Sequence, residues 1–236
     1  MPRDVGVVVV AAGRGARLGG EAPKQYRPIG GVPMVLRALR PFATHPEVAR
    51  IVLVLPAEDA AAPPEFLREL ESDGLVIVAG GAERTDSVGA GLAALGAECT
   101  TVLVHDAARP FVERTVIDAV IAHARAGEGA VAAVPVSDTL KEASGEDPSR
   151  VERTVPRTGL WRAQTPQGFP RAVLERAHAQ FAAGGPDGRS TALTDDAALV
   201  ERSGVAVRLV LDSPRNFKVT TLEDLAFAEL LARREG

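Results

Sequence analysis

Cysteine is almost missing from this sequence: Cys99 is the only one in 236 residues. No intrachain disulfide and no thiolate metal cluster can therefore form, and a reducing, cytoplasmic location is the expected one. Cys99 adjoins the apolar stretch Thr101–Val104 and reads as buried filler. An excess of positive charge is also lacking. Lys and Arg number 27 against 31 Asp and Glu, a net charge of −4, and no run of basic residues stands out. That excludes the concentrated basic face expected of a nucleic-acid binder. A triphosphate can still be bound where a few cations converge. Long hydrophobic runs are absent as well. Val5–Ala12 follows Arg3, but Asp4 intervenes, and the run is short for a signal-peptide core and far too short for a membrane span. It reads as a buried first strand, and no membrane partner is expected.

What is present is alternation. Short β-branched runs at Gly6–Val10, Arg50–Leu55, Leu75–Val78, Thr101–His105 and Ala130–Val134 are predicted strands. Four of the five are almost continuously apolar, as strands covered on both faces are. Between and after them, Pro33–Ala43, Ala57–Leu70, Thr85–Leu95, Arg114–Ala126, Pro170–Ala183, Thr194–Glu201 and Thr221–Arg234 are predicted helices. Thr194 and Thr221 each put a hydroxyl cap ahead of acids, and Pro33 and Pro170 suit a first turn. This alternation predicts an α/β fold with a mostly parallel sheet and right-handed crossovers, in one domain over 1–236. One segment breaks it. Ser137–Arg157 is polar and turn-rich, centred on Ser144-Gly145-Glu146-Asp147-Pro148 with Leu140 and Val151 on either side. It reads as a hairpin arm leaving the body, with a plain surface loop as the alternative.

The first strand runs into Ala11-Ala12-Gly13-Arg14-Gly15-Ala16-Arg17-Leu18-Gly19. A glycine-rich turn after a strand lets backbone N–H groups face a phosphate unobstructed. The spacing GxGxxxG resembles a dinucleotide fingerprint, but its third glycine is one residue late. The cations point elsewhere. A dinucleotide pyrophosphate is held mainly by backbone and helix dipole. A triphosphate that loses pyrophosphate needs positive charge where negative charge develops. Arg17 lies inside the loop and can fork onto two phosphate oxygens, and Lys24 in Pro23-Lys24-Gln25-Tyr26 can supply a point charge. A solvated arginine and a surface lysine are the plain alternatives.

The stretch AAGRGARLGGEAPKQYRPIGGVP resembles the opening signature of the sugar-phosphate nucleotidyltransferases, and its PKQY variant is similar to the 2-C-methyl-D-erythritol 4-phosphate cytidylyltransferase family. Seven further stretches match that family in order: Gly80–Val88, His105–Phe111, Pro135–Lys141, Arg157–Trp161, Gln164–Gln167, Thr194–Asp196 and Asn216–Thr220. The resemblance implies a Rossmann-like fold with a protruding β-arm over 137–157 and a homodimer joined through that arm. It also implies CTP as donor, a polyol phosphate as acceptor, and Mg²⁺ bound mainly through the triphosphate.

The same resemblance assigns roles. Arg17 and Lys24 match residues that stabilise the phosphoryl transition state. Ala11, Ala12, Gly13 and Gly15 fall in the loop that meets the nucleotide by backbone. Gly80, Gly81, Arg84 and Ser87 match the cytosine and ribose pocket, while Ala82 stands where some members carry an acid. Cytosine offers acceptors at O2 and N3 and a donor at N4, which backbone of the Gly-Gly turn and the Ser87 hydroxyl could meet. Asp106 and Arg109 follow the fourth predicted strand at the carboxyl edge, where ligands of open α/β sheets bind. Asp106 is a possible metal-shell ligand, and an ion pair with Arg109 is the plainer reading. Thr139, Arg157, Thr165 and Lys218 match positions that hold the acceptor, Arg157 and Lys218 as its two orienting cations. Asp195 and Asp196 open a predicted helix, so capping is a reading for both. His105 reads as structural. The nearest rival is a ribitol 5-phosphate cytidylyltransferase. A nicotinamide-dependent oxidoreductase lacks its usual acidic ribose contact, and the retention of Arg17, Lys24 and Lys218 argues against a non-catalytic nucleotide-binding regulator.

Overall fold

A computed structural model describes residues 2–13, 23–72, 74–184 and 195–234. In chain order the strands and helices begin with β1 (Val5–Val10), a short hairpin of β2 (Pro28–Ile29) and β3 (Val32–Pro33), α1 (Met34–Ala43) and β4 (Val48–Leu55). Then come α2 (Ala57–Ala61), α3 (Glu65–Arg68), β5 (Leu75–Ala79), α4 (Arg84–Ala93), β6 (Thr101–Asp106), α5 (Arg114–Arg125) and β7 (Gly129–Pro135). The remainder is β8 (Leu140–Ala143), β9 (Val151–Val155), β10 (Trp161–Pro170), α6 (Arg171–Ala182), α7 (Asp196–Arg202), β11 (Val207–Leu211) and α8 (Leu222–Ala232).

Seven strands form one sheet in the order β11-β7-β10-β6-β1-β4-β5. All pairings are parallel except those of β10, which runs antiparallel between β6 and β7. The chain leaves β1 for β4 and β5 on one side, then crosses back to β6 on the other. The order therefore reverses between β1 and its two neighbours, and a crevice opens beyond their carboxyl ends.

Alternate residues of β1 show why these runs are apolar throughout. Val5, Val7 and Val9 pack with Val35, Leu39 and Phe42 of α1 and with Val116, Ile117, Val120 and Ile121 of α5. Val8 points the other way, into a second core with Val88 and Leu92 of α4 and Leu174 of α6. Each fully buried aliphatic side chain contributes roughly 1.5–3 kcal/mol, so both faces weigh in the same direction. A third cluster seats α8 on Ile29, Met34, Phe111 and Val219.

Three expectations need correction. The helix expected over Ala57–Leu70 is two short helices, because Pro63 and Pro64 interrupt it. The cap of α7 is the Asp195 carboxylate, which accepts from the N–H of Ala198 at 3.1 Å; the expected Thr194 lies outside the described residues. And β10 and β11 were unforeseen. Trp161–Pro170 contains Arg162, Gln164, two prolines and Gly168, so neither alternation nor a β-branched run marks it. Gly168 has room for no side chain, since a Cβ there would stand 2.4 Å from Val120 Cγ1. Thr221 does cap α8 in a box with Asp224. The segment after β7 folds into a two-stranded antiparallel hairpin, Leu140 opposite Val155, with most of its residues exposed.

Candidate active site

The crevice at the strand-order reversal is a cleft of about 300 Å³. One wall is the end of β1, Val10 to Gly13; a second is the start of α4, Gly81 to Ser87; a third is Asp106 to Ala108 after β6. Lys24 and Gln25 close one side, and Lys218 with Thr220 the other. Backbone bonds tie these walls together. Ala11 N–H donates to Val54 O at 2.8 Å, Ala107 N–H to Val10 O at 3.0 Å, and Val219 N–H to Ala108 O at 2.9 Å.

Lys24 sits in a 3₁₀ turn, Lys24–Tyr26. Two side chains of that turn hold it to α2: Tyr26 donates its hydroxyl to Asp59 at 2.7 Å and Gln25 its amide at 3.1 Å. Burial and then Asp59 push the Tyr26 phenol well above its ordinary pKa, so this donor keeps its proton. The sequence contains only three lysines, at 24, 141 and 218, among 27 cations. Two of the three line this one cleft.

Asp106 is the anionic centre. Lys218 Nζ lies 2.8 Å from one carboxylate oxygen, Arg84 Nε 3.5 Å from the other, and Arg109 Nε 3.9 Å away. Burial opposes ionisation of Asp106, but Lys218 and Arg84 outweigh it and hold the carboxyl well below the usual range. The ion-pair reading of Asp106 with Arg109 is thus only part of the arrangement, since two further cations share the carboxylate. Arg84 continues to the buried Asp196, at 2.6 Å. Asp196 falls in a stretch that resembles the family and reads there as a capping acid, whereas its partner Arg84 is 112 residues away.

Behind this wall, hydrogen bonds fix the tautomer of His105. Its Nε2 faces Arg109 O at 3.0 Å, an acceptor only, so Nε2 carries the proton and Nδ1 accepts the Thr165 hydroxyl at 3.0 Å. Thr165 Oγ1 in turn accepts from Asp106 N–H at 3.0 Å. Thr165 therefore steadies Asp106 from within. Burial lowers the pKa of His105 to about 4. As pH falls from 6.5 toward 4 the unfolded chain takes up a proton that the folded site refuses, so stability is lost over that window. At pH 5 this one group costs about 2 kcal/mol relative to pH 7. Nuclear magnetic resonance should show a His105 ring that does not titrate above pH 5; a midpoint near 6.5 contradicts its burial.

Asn216 locks the opposite strap. It is fully buried, and its carbonyl accepts from Arg109 Nη1 at 2.8 Å and Gln164 Nε2 at 2.9 Å. Its amide donates to Thr165 O at 2.8 Å and Asp212 Oδ2 at 2.6 Å. Two residues later Lys218 is delivered to the cleft.

On the α4 side, Ser87 accepts from Gly81 N–H at 3.2 Å and donates to Glu83 O at 3.1 Å. One lone pair of its hydroxyl remains, which suits an amine donor. A Cβ on Gly80 would lie 2.6 Å from Ala12 Cβ and 2.7 Å from Ser87 Oγ. Gly80→Ala is therefore expected to push both walls and, if the cleft takes CTP as the family resemblance implies, to weaken its binding by about tenfold, the usual scale of overpacking. Calorimetric titration with CTP checks this, and an unchanged Kd would remove the nucleotide from this wall.

The structure thus assembles Ala11, Ala12, Gly13, Lys24, Gly81, Arg84, Ser87, Asp106 and Lys218 around one cleft, with Gly80, Arg109 and Thr165 immediately behind. Arg17 and Gly15 lie outside the described residues. Thr139 and Arg157 stand apart, exposed at the hairpin arm, where Arg157 Nη1 donates to Ser137 O. Met34, Gln25, Ala108 and Thr220 also line the cleft. Position within the Asn216–Thr220 stretch could have flagged Thr220, whereas Met34 gave no signal. Among the described residues the carboxylates of the cleft lining are Glu83, whose side chain is engaged in the capping box of α4, and Asp106, a hard, ionised oxygen donor. That suits Mg²⁺, which is commonly held by one or two carboxylates together with substrate phosphates.

An open, mostly parallel sheet with a cation-lined cleft at its strand-order reversal is a Rossmann-like α/β fold whose cleft suits an anionic ligand such as a nucleotide. Comparison with known proteins narrows the class. The chain belongs to the 2-C-methyl-D-erythritol 4-phosphate cytidylyltransferase family, whose profile matches residues 5–234. It is 42% identical over 229 residues to the protein of that name from Salinibacter ruber, covering 95% of this chain and 91% of that one. It is 45% identical over 236 residues to a bifunctional IspD/IspF enzyme of Rhodospirillum rubrum, covering 98% of this chain and 58% of that protein. The chain thus spans little more than half the length of such bifunctional relatives. The crystal structure of the Thermus thermophilus 2-C-methyl-D-erythritol 4-phosphate cytidylyltransferase superimposes with a TM-score of 0.79 at 36% identity, covering 98% and 99% of the two chains. No helix among the described residues is long and apolar enough to cross a membrane.

Proposed function

We propose that this chain moves CMP from CTP onto 2-C-methyl-D-erythritol 4-phosphate, releasing pyrophosphate and forming 4-diphosphocytidyl-2-C-methyl-D-erythritol, a step of non-mevalonate isoprenoid precursor synthesis in the cytoplasm. The observation that carries the reading is the placement of two of the three lysines, Lys24 and Lys218, in the lining of one cleft between the β1 loop and the β6 loop. An oxygen of the acceptor phosphate attacks the α-phosphorus of CTP. The new P–O bond forms as the bond to the β-phosphate oxygen breaks, and pyrophosphate leaves with the electron pair. The acceptor phosphate is already anionic at neutral pH, so the site needs no strong base, in keeping with a neutral, buried His105. Positioning and charge carry such a transfer.

Lys24, with Arg17 of the glycine loop, stabilises the charge that builds on the α-phosphate. Lys218, braced by Asp106 and by the Asn216 strap, orients the acceptor phosphate. The wall from Gly80 to Ser87 takes the cytidine. Asp106, together with substrate phosphates, would hold Mg²⁺, which would supply further neutralisation of phosphate charge.

The hairpin arm is read as the dimer contact. Val151, Leu160 and Trp161 on and beside it are 54%, 38% and 36% exposed, apolar surface that a second copy would cover. The test of the function is release of pyrophosphate from CTP on addition of the acceptor. The reading expects release that requires Mg²⁺ and is far slower with UTP, whose base reverses the hydrogen-bonding pattern at N3 and position 4. Equal rates with both nucleotides would contradict the assignment of the Gly80–Ser87 wall.

A further inference from the structure

We propose that Asp196 is a positioning residue that holds the guanidinium of Arg84 against the nucleotide cleft. The inference rests on the reading of Arg84 as a side chain of the nucleotide wall.

Two adjacent acids at the start of α7 do different things. Asp195 serves the helix: its Oδ1 accepts from Ala198 N–H at 3.1 Å, and its Oδ2 accepts from Gln167 Nε2 at 3.0 Å. Asp196 has no part in that cap. It is fully buried and turns toward α4, where its Oδ2 accepts from Arg84 Nη1 at 2.6 Å. Its other oxygen meets His178 Nε2 at 3.2 Å. A buried carboxylate is unfavourable unless paired and hydrogen-bonded on both oxygens. Here both are engaged, and the stronger partner is a residue of the cleft.

The frame behind Asp196 is rigid. Gln167 of β10 receives Ala197 N–H on its Oε1 at 2.9 Å while donating to Asp195, so the start of α7 is latched to the central sheet. Arg84 is thereby drawn between two carboxylates, Asp196 behind it and Asp106 on the adjoining wall. A guanidinium has a planar fork with donors in fixed directions. Anchoring Nη1 on Asp196 sets the plane of that fork and leaves its remaining edge for the cleft that Arg84 lines. Without the anchor, Arg84 keeps its charge but loses its fixed orientation. Affinity for the nucleotide then falls by the cost of ordering the side chain on binding.

The alternative is that Asp196 only steadies the start of α7, through His178, and acts on nucleotide affinity independently of Arg84. A double-mutant cycle on the full chain separates the two, read as Kd for CTP by calorimetry and as kcat and KM for each substrate. Arg84→Ala is expected to raise the Kd for CTP by about tenfold, the scale of one charged hydrogen bond. Asp196→Asn should raise it several-fold, moving KM for CTP more than kcat and leaving KM for the acceptor in place. In the Arg84→Ala background Asp196→Asn should add nothing. If it multiplies Kd by the same factor in both backgrounds, Asp196 acts independently of Arg84 and the inference is overturned. If Arg84→Ala leaves Kd unchanged while pyrophosphate release continues, Arg84 is not a nucleotide contact; the inference falls and cytidylyl transfer stands. Should Asp196→Asn fail to fold, Arg84→Lys decides, because a lysine keeps the charge but cannot span both carboxylates. Arg84→Lys is expected to match the several-fold loss of CTP affinity, and wild-type affinity in that variant would overturn the proposal.

Discussion

Lys24→Ala should lower kcat by about a hundredfold or more, roughly 3 kcal/mol of transition-state stabilisation, with little change in KM for CTP. The size follows from where the charge sits and how it is held. Lys24 rides on a 3₁₀ turn pinned to Asp59 by both Tyr26 and Gln25, so the backbone that carries it is fixed before substrate arrives. A preorganised cation acts most where charge grows during the reaction, on the α-phosphate as the bond to pyrophosphate breaks. In the proposed reading uniform binding of CTP draws instead on the β1 loop and the α4 wall, which the variant leaves intact. Steady-state kinetics with varied CTP reads the split. A near-normal kcat would mean that Lys24 only lines the rim. Arg17→Ala is expected to behave alike, since the family resemblance assigns Arg17 the same transition-state role as Lys24.

Arg157→Ala should cripple use of the acceptor, with a rise of at least about tenfold in its KM, and leave CTP affinity nearly unchanged. Arg157 is exposed on the hairpin arm and does not line its own subunit's cleft. If it is to hold an acceptor phosphate, a second copy must receive it. The apolar residues Val151, Leu160 and Trp161 beside it are the kind of surface that such an exchange of arms buries. Subunit mixing tests the trans assignment. Arg157→Ala and Lys24→Ala, each poorly active alone, are combined and allowed to exchange. In a hybrid dimer one site inherits both defects and the other neither, so activity should recover toward half of a wild-type dimer. If exchange is confirmed and activity stays at the level of the separate variants, Arg157 serves its own subunit.

Much of the fold was legible because its strands are covered on both faces. A run such as Val7-Val8-Val9-Val10 has one physical solution in a chain with no membrane-length segment, and both hydrophobic cores bear on it. β10 was illegible for the opposite reason. Its Gln164 and Thr165 serve the site rather than the core, so the strand carries a polar pattern that only its neighbours β6 and β7 impose. The cleft was legible in outline wherever a glycine or a cation had to be where it is, as at Gly80, Lys24 and Lys218. Partnerships were not. That Asp196 grips Arg84 while Asp195 caps the helix depends on which way two identical side chains turn, which no spacing encodes. Likewise Thr165 reads in sequence as an acceptor contact, whereas its hydroxyl is used between Asp106 and His105.

Cytidylyl transfer to methylerythritol phosphate is tested most directly by initial-rate pyrophosphate release from CTP and Mg²⁺ with two acceptors side by side. Release is expected to be brisk with 2-C-methyl-D-erythritol 4-phosphate and slower by orders of magnitude with ribitol 5-phosphate, with a diphosphate-bridged product appearing in the phosphorus spectrum. Brisk release with ribitol 5-phosphate and none with the methylerythritol compound would contradict it.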